Sequence, residues 1–174
     1  IAITFAQNKI PTLLVDSDMR RGLLHNMLLI NKTPGLSNIL ASNLPLDLNL
    51  IDKVVQKSQI PNLFVLSCGD MLPNPAELIS SKKMEKVLEL FKARFGVVVI
   101  DTAPIGIASD SINIIKNVDA CLMVAMSKKT KLGALRKVIE RIVKINKKKL
   151  IGMVLNGADS DLIKDKYGYS YYHY

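Results

Sequence analysis

Residues 97–104, VVVIDTAP, constrain the fold more than any other stretch of this chain. Four β-branched residues in succession predict a strand that is buried on both faces and ends at Asp101. Ligands of open α/β sheets bind beyond the carboxyl ends of the strands, so Asp101 is expected at a binding edge. The simpler alternative is that the acid at the strand end only caps the next helix. Separately, Ser109 and Asp110 form a predicted helix N-cap.

A second stretch, LLVDSDMRR at residues 13–21, repeats this arrangement. An apolar strand ends at Asp16, and Asp18 and Arg20 follow at alternate positions, which predicts that all three side chains point the same way. Two acidic strand ends in one chain make a capping role alone a weaker explanation. We therefore predict a site for a metal ion and a phosphate group.

The organisation of the chain indicates one compact α/β domain. Its 174 residues, 49% of them hydrophobic, are enough for a single core. Further apolar strands are predicted at residues 63–67, 120–126 and 150–155, with helical stretches between them, which is typical of βαβ units and a parallel sheet. No apolar run approaches the ~20 residues that a membrane-spanning helix needs.

Cysteines and basic residues add two further expectations. Cys68 and Cys121 have neither CxxC spacing nor a nearby histidine, so we expect reduced core thiols and no metal site built from them. Ten lysines and arginines fall within residues 128–149 and are opposed only by Glu140. Apolar residues recur there at helical spacing, which leaves open either a solvated outer helix face or a surface for an acidic partner. Nucleic acid is disfavoured because no aromatic residues lie between the charges.

The pair LLVDSDMRR and VVVIDTAP resembles the Walker A′ and Walker B motifs of bacterial tyrosine kinases, the P-loop-related enzymes of capsule and exopolysaccharide synthesis. The resemblance continues through PGLSNIL, NPAELISS, GMVLNG and YGYSYYHY, and so covers essentially the whole chain. The tyrosine-rich end distinguishes this family from the ParA and MinD-type ATPases. The resemblance implies a P-loop NTPase-like α/β fold related to MinD and ParA, with a parallel sheet and helices on both faces.

The resemblance also implies an ATP and Mg²⁺ site with defined roles. Asp18 and Asp101 would hold Mg²⁺, and Asp16 would accept the proton of a tyrosine hydroxyl. Arg20 would orient these acids or the phosphates. Asn156 would contact the adenine base, although a simple turn residue is an equal alternative there.

The last eight residues contain every tyrosine of the protein. By itself such a segment predicts only a tail that stacks on a partner or aggregates. When the tyrosine cluster is considered together with the two acidic strand ends, the resemblance favours its autophosphorylation. The predicted organisation is thus a kinase domain over residues 1–165 and a flexible tail over residues 166–174. The expected phosphorylation sites are Tyr167, Tyr169, Tyr171, Tyr172 and Tyr174.

The chain departs from the family pattern at two places. The helix predicted at residues 1–7 follows, in the family, a glycine-rich loop ending in Gly-Lys-Ser or Gly-Lys-Thr, and that loop is missing here. We therefore expect a domain truncated at its N-terminus, inactive by itself. The family also usually has a proline after the Walker A′ motif, where this chain has Gly22. We expect that glycine to loosen a turn without touching the acids.

The resemblance implies several partners. They are a membrane activator of the polysaccharide co-polymerase type, a cognate tyrosine phosphatase, and further copies of the chain while it is unphosphorylated. The expected location is the cytoplasm, at the inner face of the cell membrane. Two other functions stay open, namely a MinD/ParA-like ATPase switch and a non-catalytic scaffold or kinase substrate.

Overall fold

The computed structural model describes residues 1–105 and 110–158, which form two compact units that divide between Asn117 and Val118. The expected cap at Ser109 and the tyrosine tail lie outside the described residues. The first unit contains α1 (Ala2–Gln7), β1 (Thr12–Asp16), α2 (Leu24–Met27), α3 (Leu36–Ala41), α4 (Leu48–Val54), β2 (Gln56–Lys57), β3 (Leu63–Leu66), α5 (Pro75–Ile79), α6 (Lys82–Arg94), β4 (Val97–Asp101) and α7 (Asp110–Asn117). The second contains β5 (Cys121–Met126), α8 (Leu132–Asn146), a 3-10 turn (Lys147–Lys149) and β6 (Leu150–Asn156).

The sheet of the first unit has the order β2-β3-β1-β4. Strand β1 pairs in parallel with both β3 and β4, as the alternation of strands and helices predicts. The prediction of a purely parallel sheet is wrong for β2, which pairs antiparallel with β3. The connection between these two strands is short, and a short connection joins only antiparallel neighbours.

Helix α1 covers one face of this sheet. Its Ala2 and Ala6 form a buried cluster with Leu63 and Val65 of β3. Because side chains alternate along a strand, Leu13 and Val15 of β1 point to the opposite face, and both are fully buried. Both faces of β1 are therefore covered, which places its carboxyl end at a fixed edge of a packed sheet.

Strand β4 is less buried than its sequence predicts. All four of its apolar residues are only half-buried, and Asp101 at its end is exposed. The reason is topological, because β4 is the last strand of its sheet in the described residues and pairs only with β1. Four β-branched residues in a row predict a strand correctly, but they do not reveal whether it has neighbours on both sides.

The second unit is a βαβ arrangement. Strands β5 and β6 pair in parallel, and helix α8 lies between them in the sequence. Ile142 is the buried residue of α8, and most of its charged residues are exposed. Cys121 is half-buried and Cys68 in the first unit is buried, both as free thiols. Within the parts of the chain that the structure describes, no helix is long and apolar enough to cross a membrane.

Candidate active site

The two predicted acidic strand ends are neighbours. In the parallel pairing of β1 with β4, the last register partners are Asp16 and Asp101. Ser17 follows Asp16 and fixes this edge, because its N–H donates to the carbonyl oxygen of Asp101 at 2.9 Å and its hydroxyl donates to the same oxygen at 2.6 Å. The sheet therefore brings the two acidic strand ends side by side.

Asp16 is fully buried, and both carboxylate oxygens accept a backbone hydrogen bond. Oδ1 accepts the N–H of Asp18 at 3.2 Å, and Oδ2 accepts the N–H of Leu24 at 3.1 Å. Burial raises the pKa of Asp16 above its ordinary value, the two N–H groups oppose this, and the charges of Asp101 and Asp18 raise it further. A carboxylate that is fixed in place and raised in pKa is suited to accept a proton.

Asp18 organises the turn that follows β1. Its Oδ1 accepts the N–H of Arg20 at 3.1 Å and the N–H of Arg21 at 2.9 Å. Strand β1 ends at Asp16, so Asp18 and Arg20 lie beyond it. That their side chains point the same way as that of Asp16 stays a prediction. A hydrogen-bonded turn positions these residues, with Asp18 half-buried and the side chain of Arg20 exposed.

Asp101 interacts electrostatically with Asp18. Partial burial of its carboxyl group raises the pKa of Asp101, the charge of Asp18 raises it further, and the N–H of Thr102 lowers it. Among the described residues, no group of three or more His, Cys, Asp or Glu side chains forms a ready-made metal site. Mg²⁺ is commonly held by one or two carboxylates together with water and substrate phosphates. Asp18 and Asp101 provide oxygen ligands of that kind, so this edge fits Mg²⁺.

Gly22 packs closely against these acids. A β-carbon at this position would lie 2.7 Å from Oδ2 of Asp16, 2.8 Å from the carbonyl oxygen of Asp18 and 2.6 Å from Sγ of Cys68. The expectation that Gly22 loosens a turn without touching the acids is therefore wrong. The glycine is required by close packing, because any side chain there displaces the carboxylate or its loop.

The segment PGLSNIL lies at the same edge of the sheet, beside the end of β3. The N–H groups of Leu36 and Ser37 donate to the carbonyl oxygens of Ser67 and Cys68 at 2.8 and 2.9 Å. Gly69 then adopts a φ of +85°, which favours glycine. The ends of β3, β1 and β4 therefore all contribute loops to one edge.

The remaining predicted site residues belong to the second unit or lie outside the described residues. Asn156 is the last residue of β6 in the second unit, where it is exposed and its Oδ1 accepts the N–H of Gly157 at 2.9 Å. Its contact with adenine stays a prediction. The five tail tyrosines lie outside the described residues, so their phosphorylation stays a prediction.

Similarity to known proteins identifies the family. No protein-family model matches the chain. The tyrosine-protein kinase YwqD of Bacillus subtilis is 35% identical, over 97% of this chain and 68% of YwqD. The tyrosine-protein kinase CpsD of Streptococcus pneumoniae is 32% identical, over 99% of this chain and 73% of CpsD. The chain belongs to the bacterial tyrosine-protein kinase family.

Coverage of these tyrosine-protein kinases varies with their length. The chain spans only about a fifth of another relative, the putative tyrosine-protein kinase EpsB of Ralstonia nicotianae, which is 31% identical over 93% of this chain and 21% of EpsB.

Solved structures agree on the fold. The kinase domain of the Escherichia coli tyrosine kinase ETK superposes with a TM-score of 0.82 at 28% identity, covering 99% of this chain and 65% of that one. The septum site-determining protein MinD of Pyrococcus horikoshii gives a TM-score of 0.69 at 18% identity, over 94% of this chain and 68% of that one. The fold expected from the resemblance, α/β and related to MinD, is confirmed.

Three features of this candidate site were missed by sequence reasoning. They are the double hydrogen bond from Ser17 to Asp101, the N–H of Leu24 on Asp16, and the close packing of Gly22. A glycine directly after a charged turn is the only signal in the sequence, and it does not reveal what the glycine approaches. Each feature depends on which atoms the folded loop brings together.

Proposed function

We propose that the whole protein is an ATP-dependent protein-tyrosine autokinase that regulates capsular or extracellular polysaccharide synthesis. The observation that carries the proposal is the pairing of Asp16 with Asp101 at one sheet edge, next to the Asp18 turn. Membership of the tyrosine kinase family supports the reaction, and this geometry supplies the acids that it needs. Polysaccharide synthesis is proposed from the resemblance of the sequence to enzymes of that process.

In the proposed mechanism, Asp18 and Asp101 hold Mg²⁺ directly or through water. An Mg²⁺ ion held by these carboxylates would supply positive charge that neutralises the phosphoryl group during its transfer from ATP. Asp16 accepts the proton of the tyrosine hydroxyl as the hydroxyl oxygen bonds to the γ-phosphorus, and the bond between that phosphorus and the bridging oxygen breaks so that ADP leaves. A carboxylate has about four acceptor positions, so Asp16 can keep both backbone hydrogen bonds while it does this.

Arg20 and Asn156 have supporting roles in this proposal. Arg20 belongs to the turn that Asp18 holds, so its guanidinium would orient the acids or the phosphates. Asn156 ends β6, at the carboxyl edge of its strand pair, and would contact the adenine base. Both roles come from the resemblance and agree with the local geometry.

The proposed substrate is the tyrosine tail of a neighbouring copy of the chain. A tail held in an adjacent active site links subunits. Each added phosphate then brings about −1.5 to −2 charges to an acidic site, which favours release. Unphosphorylated chains would therefore assemble and phosphorylated chains would separate, with a tyrosine phosphatase restoring the first state. A membrane activator of the co-polymerase type would hold the kinase at the inner face of the membrane.

The 174 residues contain no Gly-Lys-Ser or Gly-Lys-Thr sequence. In P-loop proteins a loop of that kind supplies backbone N–H groups and a lysine to the phosphates. If about four charge-assisted hydrogen bonds at ~1.5 kcal/mol each are not made, the binding free energy of MgATP weakens by about 6 kcal/mol. This moves a micromolar Kd beyond the millimolar range. We therefore expect weak MgATP binding by this chain alone. A micromolar Kd measured by calorimetry would refute that expectation.

Transfer of labelled phosphate from ATP to tyrosine in the whole protein tests the proposed activity. Phosphotyrosine that forms only with MgATP supports the kinase. ATP-dependent dimerisation without phosphotyrosine would identify a MinD-like switch instead. Failure of the whole protein to bind ATP would leave a scaffold or substrate as its role.

A mixing experiment tests transfer between molecules. Whole protein carrying Asp16→Asn is combined with active protein that lacks all residues after position 165. Phosphate should appear on the tyrosines of the inactive partner, and light scattering should report smaller particles as it does. Labelling whose rate is independent of protein concentration, within active monomers only, would rule out transfer in trans.

A further inference from the structure

A pocket of about 440 Å³ opens on the outer side of the Asp18 turn. We call it the basic pocket, because Arg20, Arg21, His25 and Lys32 all line it. Its volume falls within the range of about 300–1,000 Å³ that is usual for small-ligand sites. Arg20 already has a role in the mechanism proposed above, whereas Arg21, His25 and Lys32 have none.

No carboxylate lines the basic pocket, although three acids lie close by in the chain. Asp16 and Asp18 accept backbone N–H groups of their own loop. Asp70 accepts the side-chain amide of Asn38 at 2.7 Å. Each of these acids thus accepts a hydrogen bond from another donor, while Arg21 and Lys32 line the pocket without a carboxylate in its lining. This separation of charge favours an anionic ligand.

Charges of both signs act on one buried group of the pocket. The buried thiol of Cys68 lines it, and burial and the charge of Asp16 raise the pKa of that thiol, whereas Lys32 lowers it. Nδ1 of His25 is buried and has no hydrogen-bond partner in the part of the chain that the structure describes.

Large apolar side chains line the rest of the pocket. Leu23 is 61% exposed and Met71 is 73% exposed, and the nearly buried Met19 contributes beneath them. Methionine sulfur contacts aromatic rings favourably, and arginine both stacks on such rings and grips phosphate oxygens through two N–H groups. A ligand with an aromatic ring and a phosphate at its end matches both parts of this surface.

We propose that the basic pocket binds a phosphotyrosine side chain, with the phosphate at Arg21 and Lys32 and the ring against Leu23 and Met71. This rests on the proposed function, because a tyrosine kinase produces that ligand. Arg20 to Leu23 belong to the same loop as the acids, so an occupied pocket also fixes the catalytic turn. The occupant to which we commit is the tail of the same chain, once it has been phosphorylated and released from a neighbouring active site.

Binding of a synthetic peptide tests this without any need for catalysis. The probe is the sequence of residues 165–174, DKYGYSYYHY, carrying phosphate on Tyr171, and the comparison is the same peptide without phosphate. It is titrated into the 174-residue chain without ATP and followed by fluorescence anisotropy. We expect the phosphopeptide to bind at least about tenfold more tightly, as two charge-assisted hydrogen bonds allow. Equal affinities would overturn the proposal.

Matched charge variants locate the site. Arg21→Gln with Lys32→Gln removes two cations of the basic pocket and should weaken phosphopeptide binding at least about tenfold. Lys82→Gln with Lys86→Gln removes two cations from a different cavity of about 460 Å³ and should change it less than about threefold. Equal losses in the two double variants would assign binding to general charge and overturn the proposal.

Two further readouts keep the outcome interpretable. Unchanged melting temperatures confirm that each variant is folded, and amide shifts at Gly22 and Gly69 on adding phosphopeptide report occupation of the pocket directly. Phenyl phosphate should compete at lower concentration than inorganic phosphate, because it also uses the apolar wall. Competition by inorganic phosphate at the same concentration would refute the aromatic part of the proposal. None of these measurements depends on kinase activity. A failure of the proposed kinase function can therefore be told apart from a failure of phosphopeptide binding.

Discussion

The carboxylate of Asp16 and the α-carbon of Gly22 approach so closely that a β-carbon on Gly22 would lie 2.7 Å from Oδ2 of Asp16. The same oxygen accepts the N–H of Leu24 at 3.1 Å. The loop between Asp16 and Leu24 therefore closes back on the acid that begins it. This closure excludes side chains at position 22 and fixes the proposed base.

Replacing Gly22 with alanine tests that closure. The added methyl group overpacks the site against Asp16, Cys68 and the Asp18 carbonyl, so we expect a loss of about 1–3 kcal/mol in the free energy of unfolding, measured with urea. The control is Gly133→Ala in α8, where no atom lies within 4 Å of a β-carbon. It should stabilise the chain by about 0.5–1 kcal/mol. A similar small gain in both variants would contradict the close packing.

Asp16 and Asp101 should differ as catalytic groups. In the whole protein, Asp16→Asn should slow phosphate transfer to tyrosine by about 10²–10⁴-fold while nucleotide affinity is largely kept, because a base acts only when the hydroxyl arrives. Asp101→Asn should in addition weaken Mg²⁺-dependent nucleotide binding by at least about tenfold. Transfer rates and calorimetric affinities check both variants. Equal loss of nucleotide affinity would remove the basis for assigning Asp16 as the base.

The raised pKa values of Asp16 and Asp101 predict a pH dependence of stability. Both carboxyls take up protons in the folded chain at a higher pH than in the unfolded chain, where the ordinary value is 3.8. Folding is therefore favoured by these groups below that value, and this contribution is lost as the pH rises through their raised pKa values.

Urea unfolding without metal, at about pH 7 and about pH 4.5, measures this effect. The free energy of unfolding of the unmodified chain minus that of Asp16→Asn should become more positive at the lower pH. Asp101→Asn should show the same sign. A difference that does not change with pH, or that becomes more negative in acid, would show that these carboxyls are not raised in the folded chain.

Two buried serines at the same edge should respond differently to truncation. The hydroxyl of Ser67 donates to the carbonyl oxygen of Lys32 at 2.5 Å, whereas the buried hydroxyl of Ser37 has no partner among the described residues. Ser67→Ala leaves a carbonyl unpaired and should cost about 1–3 kcal/mol. Ser37→Ala removes an unsatisfied group and should lie within about 0.5 kcal/mol of the unmodified chain. Thermal unfolding of the two variants compares them, and a larger loss for Ser37→Ala would reverse the assignment.

Much of the site was predictable because its acids end strongly apolar strands. The runs LLVD and VVVID identify two strands of a sheet, and parallel pairing places their carboxyl ends together. The helix at residues 132–146 follows in the same way from apolar residues at helical spacing. These are local patterns, and they depend only on the alternation or helical repeat of neighbouring residues.

Tertiary structure decided what local patterns leave open. It placed β4 last in its sheet, so a run that reads as fully buried is half-buried, and it paired β2 antiparallel. It made Gly22 a packing requirement and gathered Arg20, Arg21, His25 and Lys32 around one pocket. Local sequence patterns predicted the longer apolar strands, the helix at residues 132–146 and the acids that end two of the strands. Neighbouring strands, close approaches and shared cavities depend on contacts between distant segments, which no local repeat encodes.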